Sequence, residues 1–236
     1  MLDQIDRKKI IFSADDFGVN ALASANILQL AKAGKLDRVE VMINASLQKA
    51  QALELQATGV KLDIHLHLID YACDYWQGNR YLERGALKRM LLFVGHYLSG
   101  KNSTQKVTAR WEDQIKKFKE LFGTYPAGIG SHEYIHHFPP YFKIAVGLCE
   151  KYKISFLRYG LGNFEHSCLI SKILNWLRGQ NRQYFKKTNL ETSDYLVSFD
   201  WTDNLEFITS LPTESRTEVV FHPERAQEFG FLQELN

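Results

Sequence analysis

The chain has 236 residues, 45% of them hydrophobic and 24% charged, the profile of a globular protein with room for one large α/β domain or two small ones. A net charge of +2 and a pI of about 8.3 are too mild to point to nucleic acid. Cys73, Cys149 and Cys168 form neither a zinc nor a disulfide pattern, no apolar run approaches membrane-spanning length, and the residues before Ile10 are polar, so a cytoplasmic location without leader or membrane span is expected.

Ile10-Ile11-Phe12 is a continuous apolar run, the signature of a strand covered on both faces. It leads into Ser13-Ala14-Asp15-Asp16-Phe17-Gly18. Neighbouring side chains in extended chain point to opposite sides, so Asp15 and Asp16 are expected to do different jobs. Adjacent carboxylates also resist burial unless a cation or hydrogen-bond donors compensate. The plainer reading makes one of them the cap of a helix from Val19 to Ala33, closed by Gly34. Val39 to Ile43 alternates as a strand ending at Asn44, and Leu47 to Ala57 reads as a helix closing near Gly59. Lys61 to Leu68 is a strand carrying His65 and His67. An irregular aromatic stretch from Ile69 to Tyr81, a helix-like run from Leu82 to Leu98 and a polar linker to Gln105 form an excursion at about 69–105. It has the look of an insertion that covers a site. Val107 to Phe122 is amphipathic, with Trp111, Ile115, Phe118 and Leu121 or Phe122 on one face.

The second half keeps the rhythm. Ala127 to His132 is a short strand running into a histidine cluster, and Pro139 and Pro140 open a helix to about Tyr152. Ile154 to Leu157 is a strand ending at Arg158. Leu169 to Leu177 reads as a helix, Tyr195 to Phe199 as a strand, Asp203 to Thr209 as a short helix, and Glu218 to Phe221 as the last strand, ending at His222-Pro223. About seven strands alternating with helices predict one α/β domain over residues 1–236, its parallel sheet open or closed into a barrel.

In such architectures ligands bind at the C-terminal edge of the strands. That edge gathers Asp15, Asp16, Asn44, His65, His67, the histidines between His132 and His137, Arg158 and His222. A lone strand histidine is normally a hydrogen-bonded core residue, but three strand ends supplying histidine beside an Asp-Asp pair exceed chance. One carboxylate and two imidazoles suit a divalent metal, with zinc the borderline choice and magnesium or another divalent ion the alternatives. Such an ion acidifies water, whose proton the second carboxylate can accept while another histidine protonates the leaving group.

The segments Ser13–Gly18, Ile64-His65-Leu66-His67-Leu68, Ser131-His132-Glu133-Tyr134-Ile135-His136 and Glu218-Val219-Val220-Phe221-His222-Pro223 together resemble the YdjC/ChbG family of carbohydrate deacetylases, related to the NodB-type polysaccharide deacetylases. The resemblance runs in the same order over nearly the whole chain. It implies a distorted (β/α) barrel and metal-dependent removal of an N-acetyl group from an amino sugar or an N-acetylated oligosaccharide. It implies Asp15 as general base, Asp16, His65 and His132 as metal ligands, and His222 as the acid that protonates the amine. Arg158 would orient the base, unless it is a structural salt bridge. Asn44, His67, His136, Tyr71 and Trp76 are candidates for the substrate cleft. His67 could instead hydrogen-bond a neighbouring loop, and Tyr71, Tyr75, Trp76 and Tyr81 could simply pack the excursion. The expected partner is an N-acetylated sugar, and a homodimer is compatible. Glu133 and Tyr134 stand where the family usually has Gln and His, and Glu224 where it usually has glycine, which points to a substrate other than diacetylchitobiose. Two other classes stay open: a phosphoesterase-like metal hydrolase, which would want more cations at the site, and a carbohydrate-binding barrel without catalysis, which would not need both a base and an acid.

Overall fold

The computed structural model describes residues 9–43, 47–68, 86–163, 169–202, 205, 212 and 214–235, with 86–90 as backbone alone. The strands are Ile10–Phe17 (β1), Arg38–Val41 (β2), Lys61–Leu66 (β3), Gly128–Ser131 (β4), Phe156–Leu157 (β5), Tyr195–Ser198 (β6) and Thr217–Phe221 (β7). They form one sheet in the order β5-β4-β3-β2-β1-β7-β6, and every pair is parallel. The helices are Ala21–Lys32 (α1), Lys49–Ala57 (α2), Ala86–Leu98 (α3), Thr104–Phe122 (α4), Pro139–Tyr152 (α5), Leu169–Phe185 (α6) and Ala226–Glu234 (α7). None of the described helices is long and apolar enough to cross a membrane.

The sheet curls until its two edges meet. Glu191 donates its N–H to the carbonyl of Ser155 at 2.7 Å and accepts from Leu157 N–H at 3.0 Å, and the carbonyls of Ser193 and Asp194 accept from Leu161 and Gly162 at 3.1 and 2.6 Å. The stretch 191–194, which leads straight into β6, thereby lies against β5 and completes a distorted barrel. This seam is irregular backbone rather than a regular ladder.

Both faces of the strands are buried, for two different reasons. Alternate residues point outward, and Phe12, Ala14, Val39, Val41, Ile64, Leu66, Ile129, Val219 and Phe221 pack there against helices in the main apolar core. The intervening positions point inward and carry Ser13, Asp15, Arg38, Glu40, Asp63, His65 and Glu218, all buried. On β4 the inward positions are glycines. A Cβ on Gly128 would come within 2.7 Å of Arg38 Nη2 and 2.8 Å of Asp63 Oδ1, and one on Gly130 would land on the Glu40 carboxylate. The Gly-x-Gly spacing therefore makes room for charged side chains arriving from β2 and β3.

Several expected elements shift. The carboxylate pair lies within β1 and does not cap α1: that cap is Asn20, whose Oδ1 accepts from Ala23 N–H at 2.8 Å. Leu169–Phe185 is eight residues longer than the Leu169–Leu177 run, because Gly179 points into open space and does not interrupt it. A C-terminal helix, Ala226–Glu234, was not anticipated. The Asp203–Thr209 helix, the 69–85 part of the excursion, and Asn44, Tyr71 and Trp76 lie outside the described residues. The rest of the excursion packs down: Phe93 and Tyr97 of α3 meet Phe138 and Tyr141 edge to face.

Candidate active site

The site lies at the C-terminal mouth of the barrel, where β1 breaks its own rule of alternation. The register against β2 advances from Ala14↔Val39 to Phe17↔Val41, three residues against two, which is a bulge. Within it Asp16 adopts φ 69°, a left-handed conformation that short polar side chains tolerate best. The bulge lets two adjacent carboxylates serve one site with separate partners.

Asp15 belongs to an arginine. Arg158, 1% exposed, donates from Nη1 to Asp15 Oδ1 at 2.6 Å, from Nε to Glu218 Oε1 at 2.9 Å and from Nη2 to Ser13 Oγ at 3.1 Å. Its Nη1 also stands 3.0 Å from Glu40 Oε2. The same Ser13 hydroxyl donates to Glu218 at 2.8 Å. Burial alone would depress the guanidinium pKa, but Asp15, Glu218 and Glu40 outweigh it, and Arg158 stays charged.

Asp16 belongs to the histidines. Its Oδ1 lies 3.0 Å from His132 Nδ1 and 3.3 Å from His65 Nε2, and those nitrogens are 3.4 Å apart. Burial acts to raise the Asp16 pKa, yet His132 and His65 hold its carboxylate well below the usual range. Burial likewise acts to lower His65, but Glu40, Asp15 and Asp16 push it up to about 10. The raised His65 describes a pocket that favours positive charge, whereas the lowered Asp16 reports the two imidazoles beside it. Its composition agrees, since five buried carboxyl groups (Asp15, Asp16, Glu40, Asp63 and Glu218) face two guanidiniums, Arg38 and Arg158.

The donor set fits a divalent cation. Oxygen and nitrogen ligands at about 2.1 Å around a tetrahedral ion are separated by about 3.4 Å, and the triangle Asp16–His65–His132 has edges of 3.0, 3.3 and 3.4 Å. A second overlapping group, Asp15, Glu40 and His65, also brings its donor atoms within 4.8 Å of one another.

His222 stands at the rim after β7. Glu228 Oε2 accepts its backbone N–H at 2.6 Å and lies 3.8 Å from its Nδ1. Burial acts to lower the imidazole pKa, and Glu228, Asp15 and Asp16 more than offset that, pushing it up to about 9. His136 is fully buried with both nitrogens engaged, Nδ1 at 2.5 Å from Ser131 Oγ and Nε2 at 2.6 Å from the Arg158 carbonyl. Burial pushes it down to about 3, so it is neutral. It thus grips the backbone of the arginine that holds Asp15. His67 turns its Nε2 to the Ile43 carbonyl at 3.1 Å, while Gln114 brackets its backbone. The Ile43 contact is of the neighbouring-loop kind that one of the two readings of His67 expects. Glu133 and Tyr134 both have positive φ, 54° and 53°, and the Tyr134 ring leans on His137 and Trp201.

Sequence reasoning missed Glu40, Glu218 and Ser13. Glu40 passed as the polar member of an alternating strand, because alternation does not tell whether the polar face meets water or the inside of a barrel. The one available signal was Gly128-x-Gly130, a strand without inward side chains.

A sequence profile of YdjC-like proteins matches residues 9–233. The chain is 24% identical over 152 residues to a chitooligosaccharide deacetylase of Escherichia fergusonii, covering 62% of this chain and 57% of that protein. It is 28% identical over 162 residues to a carbohydrate deacetylase of Halalkalibacterium halodurans, covering 66% and 65%. The match thus spans less than two thirds of the length of these relatives. A crystal structure from Enterococcus faecalis V583, of a proposed cellobiose-phosphate cleavage protein, superposes with a TM-score of 0.64 at 16% identity, over 96% of this chain and 91% of that one. That likeness is one of fold.

Proposed function

This chain belongs to the YdjC-like family, and from that premise we propose that it is a metal-dependent hydrolase that removes an N-acetyl group from an amino sugar or N-acetylated oligosaccharide. The observation that carries this reading is the division of the aspartate pair, Asp15 to a guanidinium and Asp16 to two imidazoles. Asp16, His65 and His132 would hold the cation, which when bound supplies a Lewis acid that polarises a carbonyl and acidifies water. Zinc suits the mixed nitrogen and oxygen donor set best.

The protein's own groups supply the proton traffic. Asp15 has Oδ1 pinned by Arg158, which keeps the carboxylate oriented and leaves Oδ2 to accept the proton of the attacking water. Water adds to the acetamide carbon, the C–N bond breaks, and acetate leaves with the new oxygen. His222, raised to about 9, is protonated at neutral pH and donates to the departing amine nitrogen. The Arg158 guanidinium is committed to Asp15, Glu40 and Glu218, which leaves it unsuited to gripping a phosphate and argues for acetamide over phosphoester hydrolysis.

The test compares Asp15→Asn with Asp16→Ala. Asp15→Asn is expected to keep metal and melting temperature while losing activity by roughly two to four orders of magnitude, whereas Asp16→Ala is expected to lose metal and activity together. Acetate release from a panel of N-acetylated sugars, with nitrophenyl phosphate as the contrasting substrate, gives the activity readout. Turnover of nitrophenyl phosphate without acetate release would overturn the deacetylase reading.

A further inference from the structure

Resting on the metal-centre reading above, we propose that Glu40 is a positioning residue that aims His65 at the cation, and that the missing side chain at Gly130 is what admits it. Glu40 lies on β2 and is fully buried. Its Oε2 is the hydrogen-bond partner of His65 Nδ1. With the Nδ1 proton donated to a carboxylate, the lone pair of Nε2 is turned toward Asp16 Oδ1 and His132 Nδ1, at 3.3 and 3.4 Å. A carboxylate on the far nitrogen of a ligating imidazole sets its tautomer and ring orientation and strengthens it as a donor.

Two further observations single out Glu40. A buried carboxylate is costly unless its partners compensate, and among the described residues Glu40 Oε1 has no partner. Its Oε2 stands 3.0 Å from Arg158 Nη1 as well as against His65 Nδ1, so this one acid joins the guanidinium that holds Asp15 to the imidazole that faces Asp16. The second observation is steric. In the β3–β4 register His65 stands level with Gly130, and a Cβ built on Gly130 would land on the Glu40 carboxylate. The supporting carboxylate thus occupies the space beside His65 that a side chain of residue 130 would otherwise fill. An acid borne by position 130 could then replace it.

The experiment measures Zn2+ affinity by competition with a chromophoric chelator, on protein shown to be folded by circular dichroism. Glu40→Gln keeps the volume and removes the charge, and should weaken Zn2+ binding by roughly 10- to 100-fold. Gly130→Ala leaves Glu40 in the chain but displaces its carboxylate, and should weaken binding in the same direction, so the proposal stays testable if Glu40→Gln does not fold. The double variant Glu40→Ala/Gly130→Asp should bind Zn2+ more tightly than Glu40→Ala alone. A purely structural acid would move the melting temperature without this pattern. Wild-type affinity in Glu40→Gln or Gly130→Ala overturns the proposal, and so does a double variant as weak as Glu40→Ala. A wild-type chain that binds no Zn2+ overturns it together with the metal centre. Zinc binding that depends on Glu40, without acetate release from any N-acetylated sugar, upholds the positioning role and defeats the deacetylase reading alone.

Discussion

At the scale of single residues, the proton donor makes the sharpest prediction. An acid must be protonated to act, so activity should fall as pH rises through the His222 pKa. That pKa is pushed up to about 9 because the carboxylates of Glu228, Asp15 and Asp16 outweigh the effect of burial. Glu228→Gln removes one of those charges, lowers the imidazole pKa and should move the alkaline limb of the pH–rate profile down by about one unit; an unmoved limb would take His222 out of the acid role. His222→Ala should retain metal while slowing turnover by roughly 10²- to 10⁴-fold. Of the residues named from the sequence for this chemistry, Asp15, Asp16, His65, His132 and Arg158 lie together, because motif-bearing side chains at strand ends are brought to one edge by topology alone. The left-handed turn at Asp16 was not legible. It arises from a bulge between two strands, a pairing that no single segment encodes.

At the scale of elements, α4 was readable almost to its ends, and its reading survives: Val107, Trp111, Ile115, Phe118 and Phe122 are buried on one face. Trp111 is completely enclosed and meets Tyr141 edge to face, with centroids 5.8 Å apart. Trp111→Ala should therefore cost roughly 3–5 kcal/mol, measured by denaturant unfolding. Trp111→Phe should cost well under half of that, because among the described residues the indole N–H has no partner to lose. Each strand of the sheet falls on a stretch the sequence marks as strand, but which way its side chains face was harder to read than for a helix. An amphipathic helix has one wet side that marks the other as core, whereas the strands here are dry on both sides. Arg38 and Glu40 look like solvent-facing residues in the sequence, yet they point into the barrel, where Arg38 makes a two-pronged pair with Asp63 at 2.5 and 2.6 Å.

At the scale of the whole molecule, the described residues of the barrel interior set five buried carboxyl groups against two guanidiniums, so the folded chain should be stabilised by divalent metal. Zn2+ at about 100 times its Kd should add about 2.7 kcal/mol and raise the melting temperature, and Asp16→Ala should abolish that rise. The alternation of strand and helix made the parallel sheet predictable. Alternation alone left the sheet open or closed, and it was the family resemblance that implied a distorted barrel, because closure rests on main-chain contacts of residues 191–194, whose side chains carry no sign of it. That closure has a dynamic consequence. A barrel opens first where its hydrogen bonds are fewest and least regular, and here the two-residue β5 is flanked by the seam. Amide hydrogen exchange at Leu157, Leu161, Gly162 and Glu191 should run through a partial opening of lower free energy than exchange at Phe12 and Ser13, which sit mid-sheet between β2 and β7. Arg158 is the first residue past β5, so each such breathing event would loosen its grip on Asp15. A ligand that clamps Asp15 and Arg158 together should then slow exchange along the seam while leaving the mid-sheet amides untouched.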